Sequence, residues 1–358
     1  MIRKKIVFIL PSFKTGGVER VTLNIINSLD FHKYEVHLLI LEKGNNTLLS
    51  SVSSLASILE IGKPSLRKAS FELYKALKQI NPDVVFTSFN HISLFIGVLK
   101  MLYGFKFKTI VRLNSLPSNK LVSNKRDKIY DVFFSKVVKK SNVVISQSNE
   151  MTQEVAQYYN LDITKIETIR NPIDQNAIVR YSSEECDVLF DREYFNLVAI
   201  GSLSSVKGFD LLIEAIYNIK TKDVCDYRLY IIGENRETNE DYHAKLENLI
   251  RKLDLEKEVF LLGYQSNPYT FLKNADAFVL SSRKEGFPNV VLEALVLKKP
   301  CLVTDCVDLS DVVCGDRGLV VKKDSVKELE KGIIAIRYYK GSDSEFENYD
   351  FNTLFNHA

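Results

Sequence analysis

At 358 residues, 46% apolar and 26% charged, without a low-complexity tract, the chain is long for one core and suits a globular protein of two domains. The apolar run over 6–10 is too short for a signal-peptide core, and no segment approaches the roughly eighteen apolar residues of a spanning helix, so the chain is expected to stay in the cytoplasm. Net charge is only +3, but residues 1–170 carry 25 Lys and Arg against 13 Asp and Glu while the remainder carries 23 against 32, which turns the first half toward an acidic partner unless the imbalance is spread over the surface.

The chain opens on KIVFIL (5–10), a near-continuous apolar run of the kind that forms a strand buried on both faces of a parallel sheet. PSFKTGGVER follows, with Gly16 and Gly17 ahead of a helix over 18–29. Strand, glycine turn and helix begin a doubly wound α/β domain. The pattern continues with strands over 35–41, 83–88, 108–113, 142–146 and 166–169, and helices over 66–79, 91–103, 127–140 and 149–159. NPID (171–174) reads as a turn, and residues 175–193 are polar and weakly patterned, like a linker. A second series has strands over 196–200, 228–232, 259–262, 277–280, 301–304 and 319–321. Its helices fall over 208–219, 242–253, 269–274, from 289 onward, and 326–337. Five cysteines (186, 225, 301, 306, 314) lack CxxC spacing, and three lie in or beside apolar runs, as reduced structural thiols do.

The most informative stretch is SSRKEGFPNVVLEA (281–294). Gly286 and Pro288 break the chain after a buried strand, and a helical apolar pattern starts at Asn289. Glu285 precedes that helix start and Glu293 lies one turn inside it. The N–H groups and dipole of a helix N-terminus attract anions, and flanking carboxylates suit a ligand that also carries hydroxyls. Alone, the pair also fits an exposed loop residue and a solvated helix residue.

EGFPNVVLEA (285–294) occurs together with GGVER (16–20), NPID and GSLSSVKGFDLLIEA (201–215). In this order, over nearly the whole chain, these motifs resemble the retaining family 4 glycosyltransferases. The resemblance implies a GT-B fold: two Rossmann-like domains facing across a cleft. It implies an acceptor-binding domain over 1–170, a linker over 171–194 and a nucleotide-sugar domain over 195–358 with a short C-terminal tail. The expected activity is retaining transfer of a hexose from a nucleotide diphosphate sugar, a UDP-sugar first, to a glycan or polyprenyl-linked glycan in surface polysaccharide synthesis. No cofactor is expected.

The resemblance also assigns roles. Gly16 and Gly17 bring backbone N–H groups to a diphosphate, unless they form only a tight turn. Lys207 adds a cation for the same phosphates, and a lysine at a helix start is disfavoured without an anion to meet. Phe287, Pro288, Asn289 and Val290 offer backbone groups and one amide to the sugar and phosphate. Glu293 matches the glutamate on the nucleotide ribose, and Glu285 the catalytic one beside the transferred sugar. Front-face attack then leaves orientation and electrostatics to the protein. No Asp-x-Asp occurs, so no metal ligands are assigned.

Three departures stand out. Ser202 replaces an arginine common in the family, a loss Arg283 or Lys284 is near enough in sequence to make good. TIVRLNS (109–115) has Arg112 and Asn114 where many relatives have a histidine, which assigns Arg112, with Glu285, to the catalytic residues, near the transferred sugar or acceptor. His91 is a weaker candidate, or else caps its helix. GEN (233–235) lacks a second glycine usual in relatives. Lysines interleaved with apolar residues over 100–108 and 125–140 suit peripheral contact with anionic lipid on the inner face of the membrane, or a solvated helix face with its other side in the core. Two readings compete with the transferase: a GT-B epimerase or phosphorylase, and a non-catalytic membrane- or nucleic-acid-binding protein. No nucleic-acid motif is present, so no nucleic-acid partner is expected.

Overall fold

A computed structural model describes residues 3–14, 16–44, 46–119, 125–186, 188, 190–222, 226–235, 241–342 and 348–357; Cys225 lies outside them. The chain divides into two compact units, Met1–Pro172 with Asn348–Ala358, and Ile173–Glu347. Each is built on one sheet whose paired strands all run parallel.

In the first unit the strands are β1 (Lys4–Leu10), β2 (Tyr34–Ile40), β3 (Ser57–Glu60), β4 (Val84–Thr87), β5 (Lys108–Arg112), β6 (Val143–Ser146) and β7 (Ile166–Thr168). Helices α1 (Gly17–Ser28), α2 (Leu66–Ile80), α3 (Asn90–Tyr103), α4 (Lys125–Lys140) and α5 (Asn149–Tyr159) connect them. Strand alternation sends Ile6, Phe8 and Leu10 into the core under α1, and Val7 and Ile9 into the core under α2 and α3. Both faces are covered, so the strand reads as one apolar run. The sheet order is β3-β2-β1-β4-β5-β6-β7. The winding therefore reverses between β1 and β4.

The second unit contains β8 (Phe195–Ile200), β9 (Tyr227–Ile232), β10 (Val259–Leu261), β11 (Ala277–Leu280), β12 (Cys301–Thr304) and β13 (Gly318–Val321). Its helices are α6 (Gln175–Ser182), α7 (Phe209–Thr221), α8 (Tyr242–Lys252), α9 (Tyr269–Asn274), α10 (Asn289–Val296) and α11 (Val326–Ile336). The order β10-β9-β8-β11-β12-β13 reverses between β8 and β11. In open α/β sheets the crevice beyond the strand ends at such a reversal is where ligands bind.

Three elements depart from the sequence reading. Edge strand β3 pairs with β2, but Ile58 and Leu59 stay exposed, so SILE carries no core pattern to find. A third of the expected linker is α6, started by Asp174, whose side chain accepts from the Ala177 N–H at 2.9 Å. It packs against α9 and α10 as part of the second unit, through the buried Ile178. The end of the chain does not belong with residues 195–347. A short helix, α12 (Phe351–His357), buries Phe351, Leu354 and Phe355 in the first unit's core beside Phe8 and Phe86. Tyr34 donates to the Asn352 carbonyl at 3.0 Å, and Lys4 to that of Phe355 at 2.7 Å. The returning segment is thus a structural part of the first unit. Among the described residues no helix is long and apolar enough to cross a membrane.

Candidate functional site

In the second unit the site is assembled from the two loops at the sheet's reversal. After β8 the chain passes Gly201 and the half-buried Ser202 into a 3-10 turn, Ser205–Lys207. Gly208 ends that turn at φ +64°, and a Cβ there would stand 2.2 Å from the Ser281 carbonyl oxygen. Glycine is required on both counts, and its presence lets the loops touch. The Lys207 stem lies along Gly201, with Cε 3.1 Å from where a Cβ would be. Its Nζ reaches Glu285 Oε1 at 2.6 Å, with the two side chains 20% and 13% exposed. Ser282 donates to the same oxygen at 2.7 Å, and Ser281 donates to the Lys207 carbonyl at 2.9 Å. The two serines tying Lys207 and Glu285 together carried no sequence signal beyond their place at the end of a buried strand.

Beyond Glu285, Phe287 and Pro288 are buried, so they can offer a ligand only backbone groups. Pro288 is the N-cap of α10, and Asn289 and Val290 form its first, half-buried turn. N–H groups of a first turn have no acceptor within their helix. Glu293 is half-buried one turn in, and the Tyr269 hydroxyl donates to it at 3.4 Å. Lys207 and Glu285 thus meet beyond the carboxyl ends of the central strands β8 and β11, and the start of α10 with Glu293 follows directly in the chain. This set can hold a phosphate on the lysine and helix start, and hydroxyls on the carboxylates.

Arg283 has a different role from that considered for it. It makes two bonds of 2.8 Å to Asp210 and one of 2.9 Å to Asp324, and its backbone N–H donates to the Val206 carbonyl at 2.7 Å. The Asp210 bonds hold its guanidinium above the ordinary arginine range. Burial works against the Asp210 charge, but the Arg283 and Tyr242 bonds overcome it and keep that carboxyl below the usual carboxylate range. Arg283 therefore clamps the loops. Lys284 is exposed and Ser202 supplies no positive charge. Gly233, first of the GEN stretch, packs so closely that a Cβ would meet the Gly201 carbonyl at 1.7 Å.

Gly16, Gly17 and Arg112 belong to the first unit. Gly16 is the extended N-cap of α1 and Gly17 its first residue. The Glu19 carboxylate folds over this start, with Oε2 2.1 Å from where a Gly16 Cβ would be. Arg112 ends β5 and is 3% exposed. It donates to the side-chain oxygens of Asn114 and Asn171, and burial alone lowers its pKa to about 9. Asn171 comes from the NPID turn, whose part in holding Arg112 was not visible in the sequence. His91 is exposed in the first turn of α3, which has no side-chain cap.

The described cysteines are all free, and burial raises the Cys306 thiol to about 11. Among the described residues no three His, Cys, Asp or Glu side chains are grouped to hold a metal ion.

Two parallel-sheet units of this topology define the GT-B class. Residues 15–177 match the family model described as Glycosyltransferase Family 4, and residues 187–349 the one described as Glycosyl transferases group 1. The chain belongs to glycosyltransferase family 4 and is a nucleotide-sugar-dependent hexosyltransferase. It is therefore an enzyme, and the non-catalytic reading falls away. It is 26% identical over 343 residues, 92% of this chain and 89% of the other, to the N-acetylgalactosamine-N,N'-diacetylbacillosaminyl-diphospho-undecaprenol 4-alpha-N-acetylgalactosaminyltransferase of Campylobacter jejuni. It is 26% identical, over 81% of this chain and 76% of the other, to the UDP-Gal:alpha-D-GlcNAc-diphosphoundecaprenol alpha-1,3-galactosyltransferase of Escherichia coli. HepE of Anabaena, solved in complex with UDP, has the same fold at TM-score 0.74 and 17% identity, covering 92% of this chain and 89% of that one.

Proposed function

We propose that this enzyme transfers a hexose, with retention of configuration, from a UDP-sugar to a lipid-linked glycan during surface polysaccharide assembly. The observation that carries the reading is the Lys207–Glu285 contact beside the start of α10, at the winding reversal of the second unit's sheet. Lys207 and the helix start take the diphosphate, exchanging Glu285 for phosphate as the donor arrives. Glu285 then holds a sugar hydroxyl and stabilises positive charge developing at the anomeric carbon. Glu293 holds the ribose. In the first unit, Gly16 and Gly17 offer backbone N–H groups to an anion, and Arg112 serves the acceptor. The donor class is supported by HepE's complexes with UDP and UDP-glucose, and the acceptor class by the undecaprenyl-linked glycans in the relatives' names.

The acceptor class favours work at the inner face of the membrane. Supporting this, α4 turns Ile129, Val132 and Phe133 outward among lysines, and α3 exposes Met101, Leu102 and Tyr103. Leu94, Val98, Arg126, Ile129, Tyr130 and Phe133 line a groove of about 450 Å³ there.

The test is turnover of UDP-, GDP- and ADP-sugars in EDTA by three proteins. Glu285→Gln should abolish transfer and leave nucleotide affinity nearly intact. Glu293→Gln should weaken nucleotide binding by about 1–3 kcal/mol, the worth of charge-assisted hydrogen bonds. Wild-type turnover and affinity in both variants would refute the assignment. Turnover that returns only with Mg²⁺ or Mn²⁺ would refute the metal-independent part.

A further inference from the structure

Arg112 is a buried cation whose known partners are all neutral. Among the described residues its bonds go to the amide oxygens of Asn114 and Asn171, and no carboxylate pairs with it. Two half-buried arginines of the second unit differ: Arg283 pairs with Asp210 and Asp324, and Arg228 with Asp191. A buried guanidinium stays charged, so folding normally supplies it with an anion. Here the amides orient the fork but leave its charge in place. They are themselves fixed: Asn114 donates to the Ser88 carbonyl, Asn171 to Gln147 Oε1 at 3.5 Å, and Gln147 to the Leu113 carbonyl at 2.8 Å. The amide oxygens are thereby turned toward Arg112.

A second observation comes from the same place. Ser88, just beyond β4, has a buried hydroxyl with no hydrogen-bond partner. Buried hydroxyls are seldom left so, and an unmet one is accounted for by a bound ion, a water or a functional role. Ser88 and Arg112 stand at the carboxyl ends of the adjacent strands β4 and β5, beside the winding reversal. The strand end rises from buried Leu113 through half-buried Asn114 to exposed Ser115, so the guanidinium lies just beneath the surface.

We propose that Arg112, oriented by Asn114 and Asn171 and assisted by Ser88, binds an oxyanion carried by the acceptor. The chemistry fits the phosphate joining a glycan to its lipid, or the carboxylate of an acidic sugar. The assignment rests on the transferase reading.

Calorimetry with a short prenyl diphosphate, glucuronic acid and a neutral prenyl alcohol tests it without turnover. Wild type should bind one of the two anions and Arg112→Gln should bind it about 10- to 100-fold more weakly, the cost of one charge-assisted contact. Arg112→Lys should recover part of the loss, and Ser88→Ala should show a smaller one. The anion that responds identifies the source. In transfer assays, Arg112→Gln should raise KM for the acceptor carrying that anion, while the KM of a neutral alkyl glycoside acceptor and of the donor stay unchanged. Thermal melting shows that each variant is folded, and Ser88→Ala keeps the test open should Arg112→Gln not fold. Equal losses on neutral and charged acceptors, a raised donor KM, or no anion binding by the wild type would overturn the assignment. Anion binding lost in Arg112→Gln in a wild type without turnover would instead fault the transferase reading alone.

Discussion

On the proposed reading, Lys207 is the one side-chain cation left for the diphosphate among the motif-matched positions of the second unit. Ser202 carries no charge, and Arg283 already serves Asp210 and Asp324. Two cations sharing a diphosphate would each be partly redundant; a lone one should matter more. Lys207→Ala should therefore lower kcat/KM by at least about 10²–10³-fold, the cost of one transition-state donor. Ser202→Arg should restore part of that loss. Arg283→Ala should act mainly on stability, read by thermal melting. The clamp also predicts a pH response. Asp210 is held below its unfolded carboxylate value, so its contribution is present above about pH 4 and is lost as pH falls through the folded value. Asp210→Asn should flatten the acid limb of melting temperature against pH; an unchanged limb would count against the clamp. Glu285 and Glu293 stood out as candidates in the sequence because one contiguous stretch carries both. The clamp was not, because Arg283 meets partners 73 and 41 positions away, and only folding brings them together.

At the scale of elements, legibility followed burial. Strands covered on both faces, such as β1, β8 and β11, wrote themselves as apolar runs, and their ends fell within a residue of expectation. Edge strand β3 buries none of its side chains fully and left no run. In α6, Ile178 and Ser182 are buried, and one buried apolar residue is too little for a helical period to stand out from a linker. In α12 the apolar residues were present, but too few to tell a tail from a core element without its partner surface. That surface gives the measurement. Phe355 is fully buried against Phe8, Tyr34 and Phe86. Phe355→Ala should cost about 3–5 kcal/mol, as large-to-small changes in a packed core do. Chemical denaturation should show the loss in the first unit's transition, with UDP binding to the second unit retained. A variant as stable as the wild type would mean that α12 is only a loosely held end.

For the whole molecule, the uneven charge acquires a place. The first half's excess of 25 basic over 13 acidic residues includes the lysines of α3 and α4, interleaved with apolar groups that the fold leaves outside. In α4 Phe134 and Val138 are buried in the core and Tyr130 packs against it, while Ile129, Val132 and Phe133 stay more than half exposed. A merely solvated helix face would show polar residues there. On the proposed reading, apolar side chains interspersed with lysines meet the layered chemistry of an anionic lipid surface, charge outside and hydrocarbon beneath. The two contributions can be separated. Attraction of lysines to anionic lipid is worth about 1 kcal/mol each near the surface and is screened within about 8 Å at physiological salt. Lys128→Glu with Lys136→Glu should therefore release the protein from anionic vesicles, and adding salt should do the same to the wild type. Phe133→Ser should weaken binding by a salt-insensitive amount, since it removes buried apolar area and no charge. Co-sedimentation across a salt series, with neutral vesicles alongside, reads both. Equal wild-type binding to neutral and anionic vesicles would remove the electrostatic part. A Phe133→Ser variant bound as tightly as the wild type would return α4 to an ordinary surface helix.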